Sequence, residues 1–238
     1  MKAYFDFHIH SCLSPCADDE MTPNNIINMS LLKGLDAIAI TDHNSIRNCE
    51  VCIELGLKSG LIVFAGMELQ TNEDVHMICL FRNIDLAKTF FKQIKEKQIN
   101  IKNNKKKFGN QQVMDINDNI VGEEENALIM SINIGINEAI KLVKNNGGVI
   151  FPAHIDRGSN SIVSNLGFIP TDLMLNIMEI SFGENSSNFL SDVKYTKFNI
   201  LRNSDAHFLG NISERENYLE VKNINKDDIF DKLLELDY

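Results

Sequence analysis

Residues Ala37–Asn44 read AIAITDHN, a short apolar run that breaks off into Thr41, Asp42 and His43. Such a run is too short for a helix and lacks polar alternation, so it suits a strand buried on both faces. Its polar end then falls where strand gives way to loop. The same arrangement recurs in both directions along the chain. DFHIHS (Asp6–Ser11) precedes it, and GMELQ (Gly66–Gln70), DVHMICL (Asp74–Leu80), FPAHIDR (Phe151–Arg157) and NSDAHF (Asn203–Phe208) follow. The six histidines, His8, His10, His43, His76, His154 and His207, all stand in such motifs and none is left over. Imidazole is the commonest metal ligand, so these junctions are expected to build one site.

Between the motifs the chain reads as helix. Thr22-Pro23 opens a first helix that stops before Gly34, with Pro at an early helical position. Asn44 or Ser45 is placed to cap a second, ending near Gly60. Others are expected at about 85–98, around 137–145 and over 226–236. The rhythm breaks at Asn100–Gln112, which is polar and carries Lys102 and Lys105–Lys107. Two short strands around Asp118-Asn119 follow, a hairpin signal. Residues 100–125 therefore read as an insertion on the rim. Its lysine run is expected to be a solvated loop, with a contact to substrate phosphate as the second reading.

Alternating strands and helices allow a doubly wound sheet or a closed barrel. An open sheet gathers its site at one switch point from few strands. Here candidates come from at least six strands, and a barrel collects all its strand ends around one mouth. The expected fold is α/β: a single distorted (β/α)7 barrel, TIM-like, with residues 1–238 as one domain.

The net charge of −10 and pI near 5.1 disfavour long nucleic acid and anionic membranes as partners. Bound cations would reverse that sign locally and admit a small phosphorylated substrate. No apolar run is long enough to span a bilayer, and no leader pattern follows Met1. With five cysteines, an odd number, the natural reading is free thiols in a cytoplasmic protein. Cys49-x-x-Cys52 reads as one face of a helix rather than a metal knuckle. The sequence leaves the oligomeric state open.

Residues two apart on a strand share a face, so His8 and His10 can hold one ion together, with Asp6 as an orienting group. Glu68 and Asp205 add carboxylates. Imidazole with carboxylate suits Zn²⁺, Mn²⁺ or Fe²⁺, and the set is too large for one tetrahedral ion. Two or three divalent ions with a bridging carboxylate fit better. Arg157 and Arg202, each three residues from a ligand motif, are the candidates for binding substrate phosphate.

In this order and spacing, DFHIHS, AITDHN, GMELQ, PAHID and NSDAH resemble the motifs of the PHP (polymerase and histidinol phosphatase) superfamily. The resemblance runs from Asp6 to His207. It implies a trinuclear site and phosphoesterase activity. One ion would be held by His8, His10, Glu68 and Asp205. Glu68 would bridge to a second, shared with His76 and His154. His43 and His207 would hold the third with a ligand from the loop after His10. Similar phosphoesterases carry Ser-Asp-Gly there. This chain has the longer SCLSPCADDEMTP (Ser11–Pro23). Counting back from Thr22-Pro23 places Asp18 in that role, with Asp19 and Cys16 as rivals. The expected enzyme hydrolyses a phosphomonoester or nucleotide with a metal-activated water held by Glu68 and Asp205. The alternatives are an amidohydrolase-like metal hydrolase and a non-catalytic metal-binding regulatory module.

Overall fold

The computed structural model describes residues 1–182 and 195–237. In chain order the described elements begin with β1 (Lys2–Ile9), α1 (Pro23–Leu32), β2 (Ala37–Ile40), α2 (Cys49–Ser59), β3 (Ile62–Gln70) and β4 (His76–Phe81). They continue with α3 (Ile84–Lys95), α4 (Lys105–Phe108), β5 (Gln112–Met114), β6 (Ile120–Glu123), α5 (Ile136–Asn145) and β7 (Val149–Pro152). The last are α6 (Ile162–Leu166), β8 (Ile177–Ile180), β9 (Asn199–Arg202), β10 (Tyr218–Glu220) and α7 (Lys226–Asp237).

The main sheet runs β10-β1-β2-β3-β4-β7, and β8 pairs with β9 in a separate parallel ribbon. This is a mixed α/β fold with a curled half-barrel sheet. Its strand count and order differ from the parallel seven-stranded barrel expected from sequence. β1, β2 and β3 are parallel, but β4 is antiparallel to both β3 and β7. The reason is the connection: only Thr71–Val75 separates β3 from β4, and a parallel pair needs a crossover of about a dozen residues. The reversal explains why His76 opens its strand whereas the other motifs close theirs. The start of an antiparallel strand lies beside its neighbours' ends.

The ribbon is tied to the sheet on both sides. Ile155 N–H donates to the Glu179 carbonyl (2.8 Å), and His10 N–H donates to the Ala206 carbonyl (3.0 Å). Strand alternation then divides the apolar residues. Phe7, Phe64, Ile78, Leu80, Phe151, Ile177 and Leu201 pack inside, sealed by Phe230 and Leu233 of α7. Ile38, Ile40, Val63, Met67, Met77 and Ile150 face the covering helices. Each fully buried side chain of this size contributes about 1.5–3 kcal/mol.

α1 is capped by Thr22 with Pro23 at its start, as its sequence requires. The second helix begins later than expected, at Cys49. Asn44 has φ +47°, and its amide donates to the Leu128 and Met130 carbonyls (2.8 and 3.0 Å) instead of capping. Cys49 and Cys52 are both buried in α2. The 100–125 insertion forms as expected. β5 and β6 pair antiparallel around Asp118, and Lys102 and Lys105 form ion pairs with Glu125 and Glu123. No described helix is long and apolar enough to cross a membrane.

Candidate metal centre

The inner face changes character at the ends of the strands. Along β3, Phe64 and Gly66 point inward, and the next inward position is Glu68. A Cβ at Gly66 would lie 2.8 Å from Thr41 Cγ2 and 2.9 Å from Leu80 Cδ2, so only glycine leaves room beneath the carboxylate. On β1 the register shifts between Asp6 and Ile9. Bulges re-aim side chains next to functional sites. Here the shift puts Ile9 against the outer core and turns His8 and His10 into the mouth. Asp6 is consequently not an imidazole partner. Its carboxylate accepts the backbone N–H groups of Ser204 (3.1 Å) and Ser213 (3.0 Å).

Glu68, 1% exposed, lies at the centre. Its oxygens are 3.5 Å from His8 Nε2, 3.2 Å from His10 Nε2 and 3.1 Å from His43 Nδ1. They are 2.7 Å from His76 Nδ1 and 3.1 Å from His154 Nε2. Asp205 Oδ1 is 3.1 Å from His8 Nε2 and 3.0 Å from His10 Nε2. His154 and Asp205 both hold positive φ, +29° and +52°. Strain of this kind costs about 1–3 kcal/mol per residue and gathers at functional sites.

The outer nitrogens identify which ring atoms face inward. His8 Nδ1 is 2.8 Å from Glu179 Oε1, and a carboxylate only accepts, so Nδ1 carries the proton. His10 Nδ1 is 2.9 Å from Ser14 Oγ, whose own proton goes to Asp42 Oδ1 at 2.7 Å. His10 Nδ1 is therefore also the donor. The two Nε2 atoms are thus left facing each other 3.1 Å apart, between two carboxylates. Lone pairs converging in this way need a cation or extra protons. His43 Nδ1, His76 Nδ1 and His154 Nδ1 are buried with no hydrogen-bond partner. The first two lie close to Glu68 without hydrogen-bond geometry, whereas His154 presents its other nitrogen, Nε2, to Glu68. The orphaned Nδ1 atoms of His43 and His76 and the donor chemistry of the cluster fit divalent cations.

The same crowding of charge sets the proton affinities of these groups. Burial opposes protonation of His10, but Asp205 and Glu68 override it and hold its pKa at about 9. His8 is likewise raised well above the usual imidazole value, burial being outweighed by Glu179, Asp205 and Glu68. His207 is lowered to about 4 by burial and by the charge on His10. Burial resists ionisation of Glu68, but His76, His8 and His43 hold its carboxyl well below the usual range.

Three groups of ligand atoms lie within mutual reach: His8, His10, Glu68 and Asp205; His43, Glu68 and His76; and His10, Cys16, His43 and His207. All six histidines, Glu68 and Asp205 meet at this mouth. Asp18 does not. It is in none of these groups, and its Oδ1 accepts the N–H of Glu20 (2.8 Å) within its own turn. Cys16 stands there instead, with Sγ 3.1 Å from His207 Nε2. Burial, with Glu68 and Asp205 nearby, pushes the Cys16 thiol up.

Arg157 reaches the mouth and forms an ion pair with Asp205 Oδ2. It lines both the small cavity over the histidines, about 90 Å³, and an adjoining groove of about 660 Å³. Arg202 is not brought in. Leu201 points inside, so the next residue along β9 points to the other face, where its guanidinium covers Phe182 at 4.7 Å. Arg47 pairs with Glu124 (2.9 Å). Glu179 was missed by sequence reasoning. It lies fully buried in β8, accepts from His8 Nδ1, from His154 N–H (3.0 Å) and from the Asn203 amide (2.7 Å), and so orients the site. Its only signal was an acid inside the apolar run IMEI.

The PHP domain model matches residues 6–155, more than half of the sequence, and the chain belongs to the PHP family. An uncharacterized protein of Methanocaldococcus jannaschii is 36% identical over 96 residues, 37% of this chain and 54% of that protein. The lesion-specific endonuclease Q of Pyrococcus furiosus superposes with a TM-score of 0.67 at 19% identity, over 96% of this chain and 55% of that one. Another endonuclease Q structure, with a 27-mer duplex bearing an abasic lesion at its active site, gives a TM-score of 0.66 at 18% identity, over 99% and 57% of the two chains. A presumed metal-dependent phosphoesterase from Bifidobacterium adolescentis gives 0.62 at 18% identity, over 98% and 94%. This chain spans about half the length of the curated relative and of endonuclease Q. The likeness to these solved structures is one of fold.

Proposed function

We propose that this chain is a metal-dependent phosphoesterase, acting as one catalytic domain over residues 1–238. The observation that carries the reading is Glu68, one buried carboxylate within 3.5 Å of five imidazoles. His8, His10, Glu68 and Asp205 would hold one divalent ion. Glu68, His76 and His154 would hold a second, and His43 and His207 would take part in a third. Such ions supply a nucleophile from water at neutral pH and offset charge building on a phosphoryl group. Zn²⁺, Mn²⁺ and Fe²⁺ all suit this donor mix.

The chain's own groups do the rest. Glu179 and the Ser14–Asp42 pair fix the ring tautomers of His8 and His10. Glu68 and Asp205 stay anionic and supply the charge that draws cations in. Arg157, about two-fifths exposed, can turn one face of its guanidinium to Asp205 and fork onto a phosphate oxygen with the other.

The substrate favoured is a small phosphate ester, a phosphomonoester or a nucleotide. A chain of charge −10 offers little to neutralise a long run of phosphates. The fold shared with endonuclease Q supports a second reading, cleavage of duplex DNA. No lysine lines the described mouth cavity, which counts against an amidohydrolase-type bridging lysine. The test is a panel of aryl phosphomonoesters, aryl phosphodiesters, nucleotides and abasic-site duplex, each with Zn²⁺ or Mn²⁺. Hydrolysis of small esters, lost in Asp205→Ala, is the expected result. Cleavage of duplex alone would transfer the protein to the second reading, and silence across the panel in metal-loaded protein would overturn both.

A further inference from the structure

We propose that Cys16 is a metal ligand: its thiolate, with His43 and His207, holds the third cation and makes that site select thiophilic ions over Mn²⁺ and Mg²⁺. The proposal rests on reading the cluster as a metal centre. It assigns a donor that the Ser-Asp-Gly pattern of similar phosphoesterases would not supply.

The geometry converges from several sides. His207 Nδ1 is 2.8 Å from the Asp205 carbonyl. A carbonyl only accepts, so Nδ1 carries the proton and the Nε2 lone pair faces Cys16 Sγ at 3.1 Å. His43 is 4% exposed, and its Nδ1 has no hydrogen-bond partner. The ligand atoms of His10, Cys16, His43 and His207 lie within 4.8 Å of one another. Neither loop carboxylate is in that group: Asp18 Oδ1 accepts Glu20 N–H, and both oxygens of Asp19 accept from the Asn110 amide at 2.9 and 3.1 Å.

The loop is also held where it must be. Asp18 N–H donates to the His207 carbonyl (2.9 Å), and Gln112 N–H donates to the Cys12 carbonyl (3.0 Å). Gly109, with φ +102°, passes so close to Pro15 that a Cβ would lie 2.1 Å from its carbonyl oxygen. The 100–125 insertion thus passes directly against the residue next to Cys16, and the loop carrying the sulfur is packed against a segment far away in sequence. On binding, the cation replaces the thiol proton, which leaves to solvent, and no oxidation state changes. A thiolate is a soft donor and favours Zn²⁺, Co²⁺ or Cd²⁺ over ions that prefer oxygen.

The test uses the full chain, stripped of metal and titrated with Co²⁺. Wild type should develop a near-ultraviolet sulfur-to-cobalt charge-transfer band. Cys16→Ser should lose that band and bind one ion fewer per chain by elemental analysis. Cys16 belongs to no core cluster among the described residues, its residue being exposed while its sulfur is turned into the mouth, so the substitution spares the core. Cys16→Asp should keep the ion count without the band and lose the preference for Zn²⁺ over Mn²⁺. Cobalt binding to wild type with no sulfur band, or Cys16→Ser keeping both band and ion count, overturns the sulfur ligand and leaves the metal centre standing. Failure of wild type to bind cobalt at all overturns both.

Discussion

His8 and His10 leave a strand buried on every side, and each ring is held from behind by groups that are themselves buried: Glu179 for one, Ser14 and Asp42 for the other. Cys16 and His207 reach the same mouth from loops, the His207 ring stacked on His10 with centroids 4.3 Å apart. Cys16 is exposed, His207 is half-buried, and their support comes from backbone bonds and from the hairpin insertion. One side is organised by strand periodicity and the other by contacts between loops. The strand side is thus expected to tolerate change poorly and to hold its ions tightly. The loop side is where metal selectivity can vary without disturbing the fold.

The largest effect expected from this contrast is on the strand side. His8→Ala should lower kcat/KM by about three orders of magnitude or more, comparable to losing a main electrostatic group of a catalytic site. His207→Ala should cost less, and equal losses would break the distinction. Glu179→Gln comes next. It replaces one acceptor by a donor facing His8, His154 N–H or Asn203, and second-layer changes of this kind typically cost about 10- to 100-fold in metal affinity. Isothermal titration with Zn²⁺ would measure it, and an unchanged affinity would remove Glu179 from the design.

A third prediction concerns pH. In metal-free protein the folded pKa of His10, about 9, lies above its ordinary 6.5. Its contribution to stability is therefore complete below about 6.5 and lost as pH rises through 9. Thermal melts of metal-free protein should fall across that window, while metal-saturated protein, with no proton on Nε2 to lose, should not follow. Metal binding must displace that proton, so apparent affinity should rise over the same range. The smallest effect is expected from Asn110→Ala, which removes the amide held by Asp19. An exposed pair of this type contributes about 1 kcal/mol or less. Global stability should barely move, while binding of the third ion weakens a few-fold. An equal loss at all ions would show that the insertion supports the whole mouth.

That the histidines, Glu68 and Asp205 come together is largely legible in the sequence. His8-x-His10 shares a strand face by spacing alone. Glu68, His154 and Asp205 follow apolar runs that can only be strands, so their place at the strand ends follows from chain order. The strand-side rule failed in two places. Arg202 has the right separation from Asp205 but the wrong parity on β9. β4 runs antiparallel because Thr71–Val75 is too short to cross over. Each depends on a pairing partner that local sequence does not name.

The third ligand was not legible for a different reason. Asp18, Asp19 and Cys16 share one loop, and nothing local ranks them. The ranking comes from Gly109 against Pro15, from Asn110 on Asp19, and from the Asp18 N–H bond to His207, all contacts between segments remote in sequence. Glu179 belongs to the same class, since an acid in an apolar strand shows its purpose only when His8 is placed beside it. The sequence by itself determined which histidines and strand-end carboxylates are candidates for the chemistry, because side-chain type and strand period are local properties. Only the tertiary structure decided which of them meet, because that depends on strand direction, parity and loop contacts that close over long stretches of chain.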